Sequence, residues 1–194
     1  MWSLKLHKKN IKVFTKPHPT SSFDCYRAEM ESPLPMSYYV SLFKDIDNYK
    51  NWMHTTIISE CVEDISDFEK VIYMCNRNFP IKDRDYYARI AFSQDPETLQ
   101  IDANWKLETQ YPAKKNRVRL NSLDVNMRMI PSSDRKKMKL EFEGHFEPEG
   151  LVPDWLANAF ITEVPYKTLL NASKQVKKKK YQTPVTFIED YNPI

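Results

Sequence analysis

Between residues 99 and 108 apolar and polar side chains alternate without a break. Leu99, Ile101, Ala103, Trp105 and Leu107 fall on one parity, and Gln100, Asp102, Asn104, Lys106 and Glu108 on the other. A strand turns successive side chains to opposite faces, so this pattern dictates a sheet with one dry face and one wet face. Met138, Leu140, Phe142, Gly144 and Phe146 alternate as cleanly with Lys139, Glu141, Glu143 and His145. A dry face must be covered, and the C-terminal segment supplies the cover. Pro153 is a good first helical residue, and Trp155, Leu156, Phe160, Val164, Leu169, Leu170 and Val176 follow it at helical spacing towards Tyr181. Pro165 lies inside that stretch and is expected to kink it, because an interior proline removes one backbone hydrogen bond.

The rest of the chain adds strands and one helix. Residues 2–9 read as a short helical turn, and 11–16 and 23–30 as strands rich in β-branched and aromatic residues. Pro35 opens a helix carrying Tyr39, Val40, Leu42, Phe43 and Ile46, continuing through Tyr49 and Trp52. Segments 56–65 and 69–77 read as a hairpin, and Asp83 to Ser93 as the next strand. Val118 and Leu120 sit on one parity, and Leu123, Val125, Met127 and Met129 on the other. That phase change near Ser122 predicts a bulge that bends one strand. The expected class is α+β: a curved antiparallel β-sheet wrapped around a long C-terminal α-helix, in one domain over 1–183 with a tail over 184–194.

Composition excludes several functions. Gly144 and Gly150 are the two glycines among 194 residues, too few to build a loop that lets backbone cradle a phosphate. A net charge of +3, with acids and bases mixed, leaves no general footprint for nucleic acid. One basic run stands out, Lys174 with Lys177 to Lys180. It reads first as a solvated last helical turn that offsets the helix dipole, and second as a patch for transient contact with an anionic membrane surface. Cys25, Cys61 and Cys75 have no metal-site or disulfide spacing, and Cys25 and Cys75 sit in apolar strand-like runs as buried thiols. His7, His18, His54 and His145 are dispersed, and the wet parity of His145 places it on the surface. No metal or other cofactor is called for. The chain starts at Met1-Trp2, which suits a cytoplasmic start or an exported protein whose targeting segment preceded Trp2.

Four segments, in order, resemble the START (StAR-related lipid transfer) domains, which have the helix-grip fold. Trp2-Ser-Leu-Lys with Ile11-Lys-Val-Phe-Thr resembles the family's opening. Asp45, Tyr49 and Trp52 fall on its acidic and aromatic positions. Asn78-Phe-Pro-Ile-Lys-Asp-Arg-Asp-Tyr-Tyr resembles its signature of a proline followed by Arg-Asp at the start of a central strand. Gly150-Leu-Val-Pro-Asp-Trp-Leu-Ala-Asn with Pro165-Tyr-Lys-Thr-Leu resembles its closing helix. The resemblance implies a sheet gripping the last helix around an apolar tunnel for one lipid. It also implies a departure: sterol-binding members carry a second buried arginine where this chain has Ile90.

On the inward parities and the last helix, the expected ligand-binding residues are Arg84, Tyr86, Ala88, Ile90, Ala103, Trp105, Leu107, Val125, Met127, Met138, Leu140, Phe142, Leu156 and Phe160. Arg84 has two readings: a headgroup contact in the cavity or, favoured, a member with Asp85 of an ion pair locking the strand to nearby loops, with Asp83 a further partner. The leading function is binding and transfer of a lipid or similar hydrophobic small molecule by a monomer without catalytic residues. The alternative is a helix-grip enzyme of the polyketide cyclase or aromatase type, acting on an aromatic or polyketide ligand. That reading needs an acid or base facing the cavity, and these strand parities offer Arg84 and Tyr86, neither suited to act as a base at pH 7.

Overall fold

Alternation converts into strands along most of the chain. The computed structural model describes residues 1–77, 80–147, 149, 152–183 and 185–191, without the side chains of residues 154, 155, 157 and 158. Asn78 and Phe79 of the second resembling segment, Gly150, Leu151 and the Trp155 side chain of the last one, and 184 and 192–194 of the tail lie outside the described residues.

The strands are β1 (Ser3–Lys8), β2 (Ile11–Lys16), β3 (Cys25–Ser32), β4 (Thr56–Ser66), β5 (Glu69–Asn76), β6 (Arg84–Gln94), β7 (Ile101–Leu107), β8 (Val118–Arg119), β9 (Leu123–Pro131) and β10 (Met138–Phe146). They form one sheet in the order β1-β2-β3-β10-β9-β7-β6-β5-β4, antiparallel throughout that path, with β8 alongside β6. Helix α1 (Met36–Lys44) links β3 to β4, and helix α2 (Asp154–Gln175) follows β10. The sheet wraps α2 so far that side chains from β3, near one edge, and from β4, at the other, face a single cavity.

The inward parities pack as the alternation requires. Ala88, Ile90, Ile101, Ala103, Met127, Met129, Met138 and Leu140 are buried with Ile11, Val13, Ala28 and Met30. Leu169 and Ala172 of α2, with Val176 just past its end, join them, and α1 adds Tyr39, Val40, Leu42 and Phe43. The tail closes over this core. Tyr191 is fully buried, its hydroxyl donating to the Leu34 carbonyl at 2.8 Å. The Asp190 carboxylate accepts from the Ser37 amide at 2.9 Å and from its hydroxyl, capping a helix whose own N-cap residue, Pro35, has no side-chain oxygen to offer.

Four expectations are corrected. Residues 3–8 form a strand rather than a helical turn, because β1 pairs with β2 from Ser3↔Thr15 to Lys8↔Ile11. The helix from Met36 stops at Lys44, and a 3-10 helix (Ile46–Asn51) brings Tyr49 and Trp52 into the core. The phase change near Ser122 is a break between two strands. β8 lies parallel to β6 (Arg84↔Val118), whereas β9 pairs with β7 and β10. His145 is buried, stacked on His18 with ring centroids 3.9 Å apart. The loop between β2 and β3 folds across the outer face there and covers it.

Candidate functional site

The inward face is not filled evenly. Towards the ends of β4, β5 and β6 that hold Thr56, Asn76 and Arg84, a cavity of about 160 Å³ opens between the sheet and the first half of α2. Its floor is Met74, Tyr86, Trp105 and Phe142, and its lid side is Phe160, Ile161, Val164, Pro165 and Thr168. One strand step deeper the sheet is solid, with Ile72 paired to Ala88 and Ile90 to Trp105. A dry cavity of about 150 Å³ admits a molecule the size of benzene. Space of this volume suits one ring or a short chain segment, and anything larger requires the lining side chains to move.

Of the residues singled out from the sequence, Arg84, Tyr86, Trp105, Val125, Phe142 and Phe160 line this cavity. Ala88, Ile90, Ala103, Met127, Met138 and Leu140 sit in the packed core beyond its floor, and Leu107 and Leu156 are not among the lining residues. Tyr26, His54, Thr56, Asn76 and Thr168 line it too and were not singled out. Two of these carried a signal. Asn76 has the parity of Ile72 and Met74, and Tyr26 that of Ala28 and Met30. His54 lies in a turn, where no period marks a direction.

Arg84 and Asp85 separate their roles by parity. Arg84 points inward and donates to the carbonyls of Lys82 and, at 3.0 Å, Glu149, while burial lowers its pKa from the ordinary guanidinium value. Asp85 points outward, where Arg119 Nε and Nη2 donate to it at 3.0 and 3.1 Å and the Tyr73 hydroxyl at 3.1 Å. Arg119 also holds the carbonyls of Tyr111 and Pro112, so the ion pair pins the loop after β7 to the outer face. The expected place of Arg84 in the locking pair is therefore corrected: the partner of Asp85 is Arg119, and Asp83 pairs with Arg77.

Gly144 makes room at the cavity wall. A Cβ there would stand 2.6 Å from the Asp124 carbonyl oxygen and 3.1 Å from the Tyr26 hydroxyl. Thr56 Oγ1 donates to Asn76 Oδ1 at 3.0 Å, and the Asn76 amide in turn hydrogen-bonds the Tyr86 hydroxyl. Burial pushes the Tyr86 pKa up to about 12 and that of Tyr26 up as well, so both phenols are neutral donors at pH 7. Burial, then the nearby Lys167, lowers the His54 pKa, leaving a neutral imidazole at the rim. The His54 amide donates to Thr168 Oγ1 at 3.3 Å and Asn171 Nδ2 to the Trp52 carbonyl at 2.9 Å, tying this turn to α2. Thr55 has φ of 71°, a left-handed conformation costly for a β-branched residue. No group of three or more metal-ligating side chains occurs among the described residues.

No protein-family model matches the chain. An uncharacterised protein of Pseudomonas aeruginosa is 20% identical over 182 residues, spanning 92% of this chain and 88% of its own. Among solved structures, a STAR-related lipid transfer protein of Xanthomonas axonopodis superposes with a TM-score of 0.83 at 22% identity, covering 91% of this chain and 99% of that one. Human StAR-related lipid transfer protein 5 gives 0.78 at 17% identity, covering 91% and 86%.

Proposed function

On the premise of the START, helix-grip fold those likenesses show, we propose that this protein binds one lipid-like hydrophobic molecule between its sheet and α2 and passes it between membranes or proteins without altering it. The observation that carries the reading is the cavity itself, a gap with aromatic and aliphatic walls in an otherwise solid core. Each 100 Å² of apolar ligand surface withdrawn from water there contributes about 2.5 kcal/mol before ordering costs. Arg84, Tyr86, Trp105, Val125, Phe142 and Phe160 make the contacts, and the core residues beyond the floor hold those side chains in place.

Exchange requires a moving part. Strand ladders are costly to open, whereas the first half of α2 is held by side chains, and Pro165 has no amide to bond the Ile161 carbonyl. The lysines follow the other half. Lys177 stands nine residues beyond Thr168 and two past the end of α2. Lys180 pairs with Asp45 at 2.7 Å. Their role is therefore solubility and helix-end electrostatics rather than contact at the cavity mouth.

Native mass spectrometry of the protein as purified tests binding. One apolar adduct per chain is expected, lost in Val164→Trp, which fills the cavity. A parent that stays free of adduct after incubation with a whole-lipid extract sinks the reading.

The enzyme alternative gains one observation. His54 is a neutral base at the cavity rim, outside the strand parities that offered no base. A carried ligand recovered from His54→Gln with a different mass from that recovered from the parent would favour catalysis over carriage.

A further inference from the structure

Two tyrosine hydroxyls reach the cavity from different strands. Tyr26 of β3 lies directly opposite Gly144 of β10, which in turn lies opposite Val125 of β9. Cross-strand neighbours normally hold each other's side chains apart, and glycine has none. The tyrosine therefore leans over β10: a Cβ on Gly144 would stand 3.1 Å from its hydroxyl and 3.0 Å from Val125 Cγ2. That hydroxyl lines the cavity and has no hydrogen-bond partner among the described residues.

Tyr86 of β6 ends a short relay. Thr56 Oγ1 donates to Asn76 Oδ1 at 3.0 Å, and the Asn76 amide donates to the Tyr86 oxygen. The relay spends the lone pairs of Tyr86 and leaves its proton to give. Burial keeps that proton on Tyr86, and burial together with the neighbouring Tyr86 keeps the one on Tyr26.

The remaining lining groups narrow what these donors can meet. The Arg84 guanidinium is engaged by the backbone carbonyls of Lys82 and Glu149, and the His54 imidazole is neutral. No carboxylate is among the described side chains that line the space. An anion would leave water for neutral partners only, which return less than its hydration costs. A hydrocarbon would cover both phenol protons and satisfy neither. A carbonyl oxygen has two lone pairs for two donors and brings no donor of its own.

We infer that the site selects an uncharged carbonyl compound of one ring or a short chain, its oxygen accepting from the Tyr26 and Tyr86 hydroxyls and its apolar part resting on Met74, Trp105 and Phe142. This rests on the ligand-binding reading above and adds the ligand's polar group and the two residues that recognise it.

Acetophenone, ethylbenzene and benzoate, three single-ring molecules of similar size, test it by calorimetric titration at pH 7. Infrared spectroscopy of carbonyl-labelled acetophenone gives the direct readout. The carbonyl stretch of the bound ketone is expected below its frequency in hexane. It should move back towards the hexane value in Tyr26→Phe and further in Tyr26→Phe/Tyr86→Phe. Tyr26→Phe should also lower the preference for acetophenone over ethylbenzene about fivefold, the effect of one neutral hydrogen bond. A stretch at the hexane value in the parent, or a shift retained in full by the double variant, overturns the carbonyl contact. Benzoate binding as tightly as acetophenone overturns the restriction to uncharged ligands. Ethylbenzene bound in either case leaves the hydrophobic-ligand reading standing, whereas a parent that binds none of the three defeats that reading and this inference together.

Discussion

The two halves of α2 face different interiors. Its second half lies on a solid core: Leu169 and Ala172, with Val176 just past its end, are buried against the sheet, and the tail closes that end through Ile188 and Tyr191. Its first half faces the cavity, with Phe160 and Val164 half-buried and Pro165 interrupting the backbone ladder. On the proposed reading, one helix is an anchor at one end and a lid at the other. The difference locates both stability and function: substitutions at the closed end should cost folding energy, and those at the open end should change what is bound.

The sharpest contrast is Leu169→Ala. A fully enclosed leucine truncated to alanine costs about 3 kcal/mol through lost burial and the space left behind. Urea denaturation should show this loss, with ligand binding retained whenever the protein is folded. Gly144→Ala probes the open end, where the added methyl would press on the Asp124 carbonyl between β10 and β9. A cost of about 2 kcal/mol is expected from such overpacking, together with weakened ligand binding. Equal binding by this variant and the parent would separate Gly144 from the cavity.

Smaller effects refine the picture. Asp190→Ala removes the remote cap on α1 and should cost about 1 kcal/mol at the closed end, without altering binding. Phe160→Ala should cost about 1 kcal/mol or less, because the ring faces a gap, while widening the range of ligands accepted. A loss matching that of Leu169→Ala would erase the distinction between the two halves.

The last effect is pH dependence. Burial lowers the pKa of both His54 and His145, helped by Lys167 for the first and by His18 for the second. The unfolded chain then binds protons more readily than the folded one. Stability conferred by keeping these imidazoles neutral is full above the unfolded value near 6.5 and declines as pH falls towards the folded values. The denaturation midpoint should therefore fall between pH 7.5 and 5, and less steeply in the His54→Gln/His145→Gln double variant. An unchanged slope would remove both histidines from the balance.

How much of this could be read from the sequence depended on periodicity. Trp105 and Phe142 were legible because alternation assigns a face to each residue of a half-buried strand. Their membership of the cavity wall, as against the solid core that claims Ile90 and Leu140, was not. That division depends on where α2 crosses the sheet, which no strand records. His145 shows the limit on the other face: its parity was read correctly as outward, but the loop carrying His18 covers it. β1 misled because it is exposed along almost its whole length, and its pairing is set by β2 rather than by burial of its own side chains. Asp85 and Arg119 met across a long loop, a partnership that neither residue's neighbours announce.

Amide hydrogen exchange along α2, with and without saturating acetophenone, tests the central claim most directly. Fast exchange is expected over residues 159–168 in the free protein, slowed by acetophenone. Residues 169–175 should be slow in both states. Uniform protection along the helix, unaltered by a ligand shown to be bound, would contradict a lid at one end and an anchor at the other.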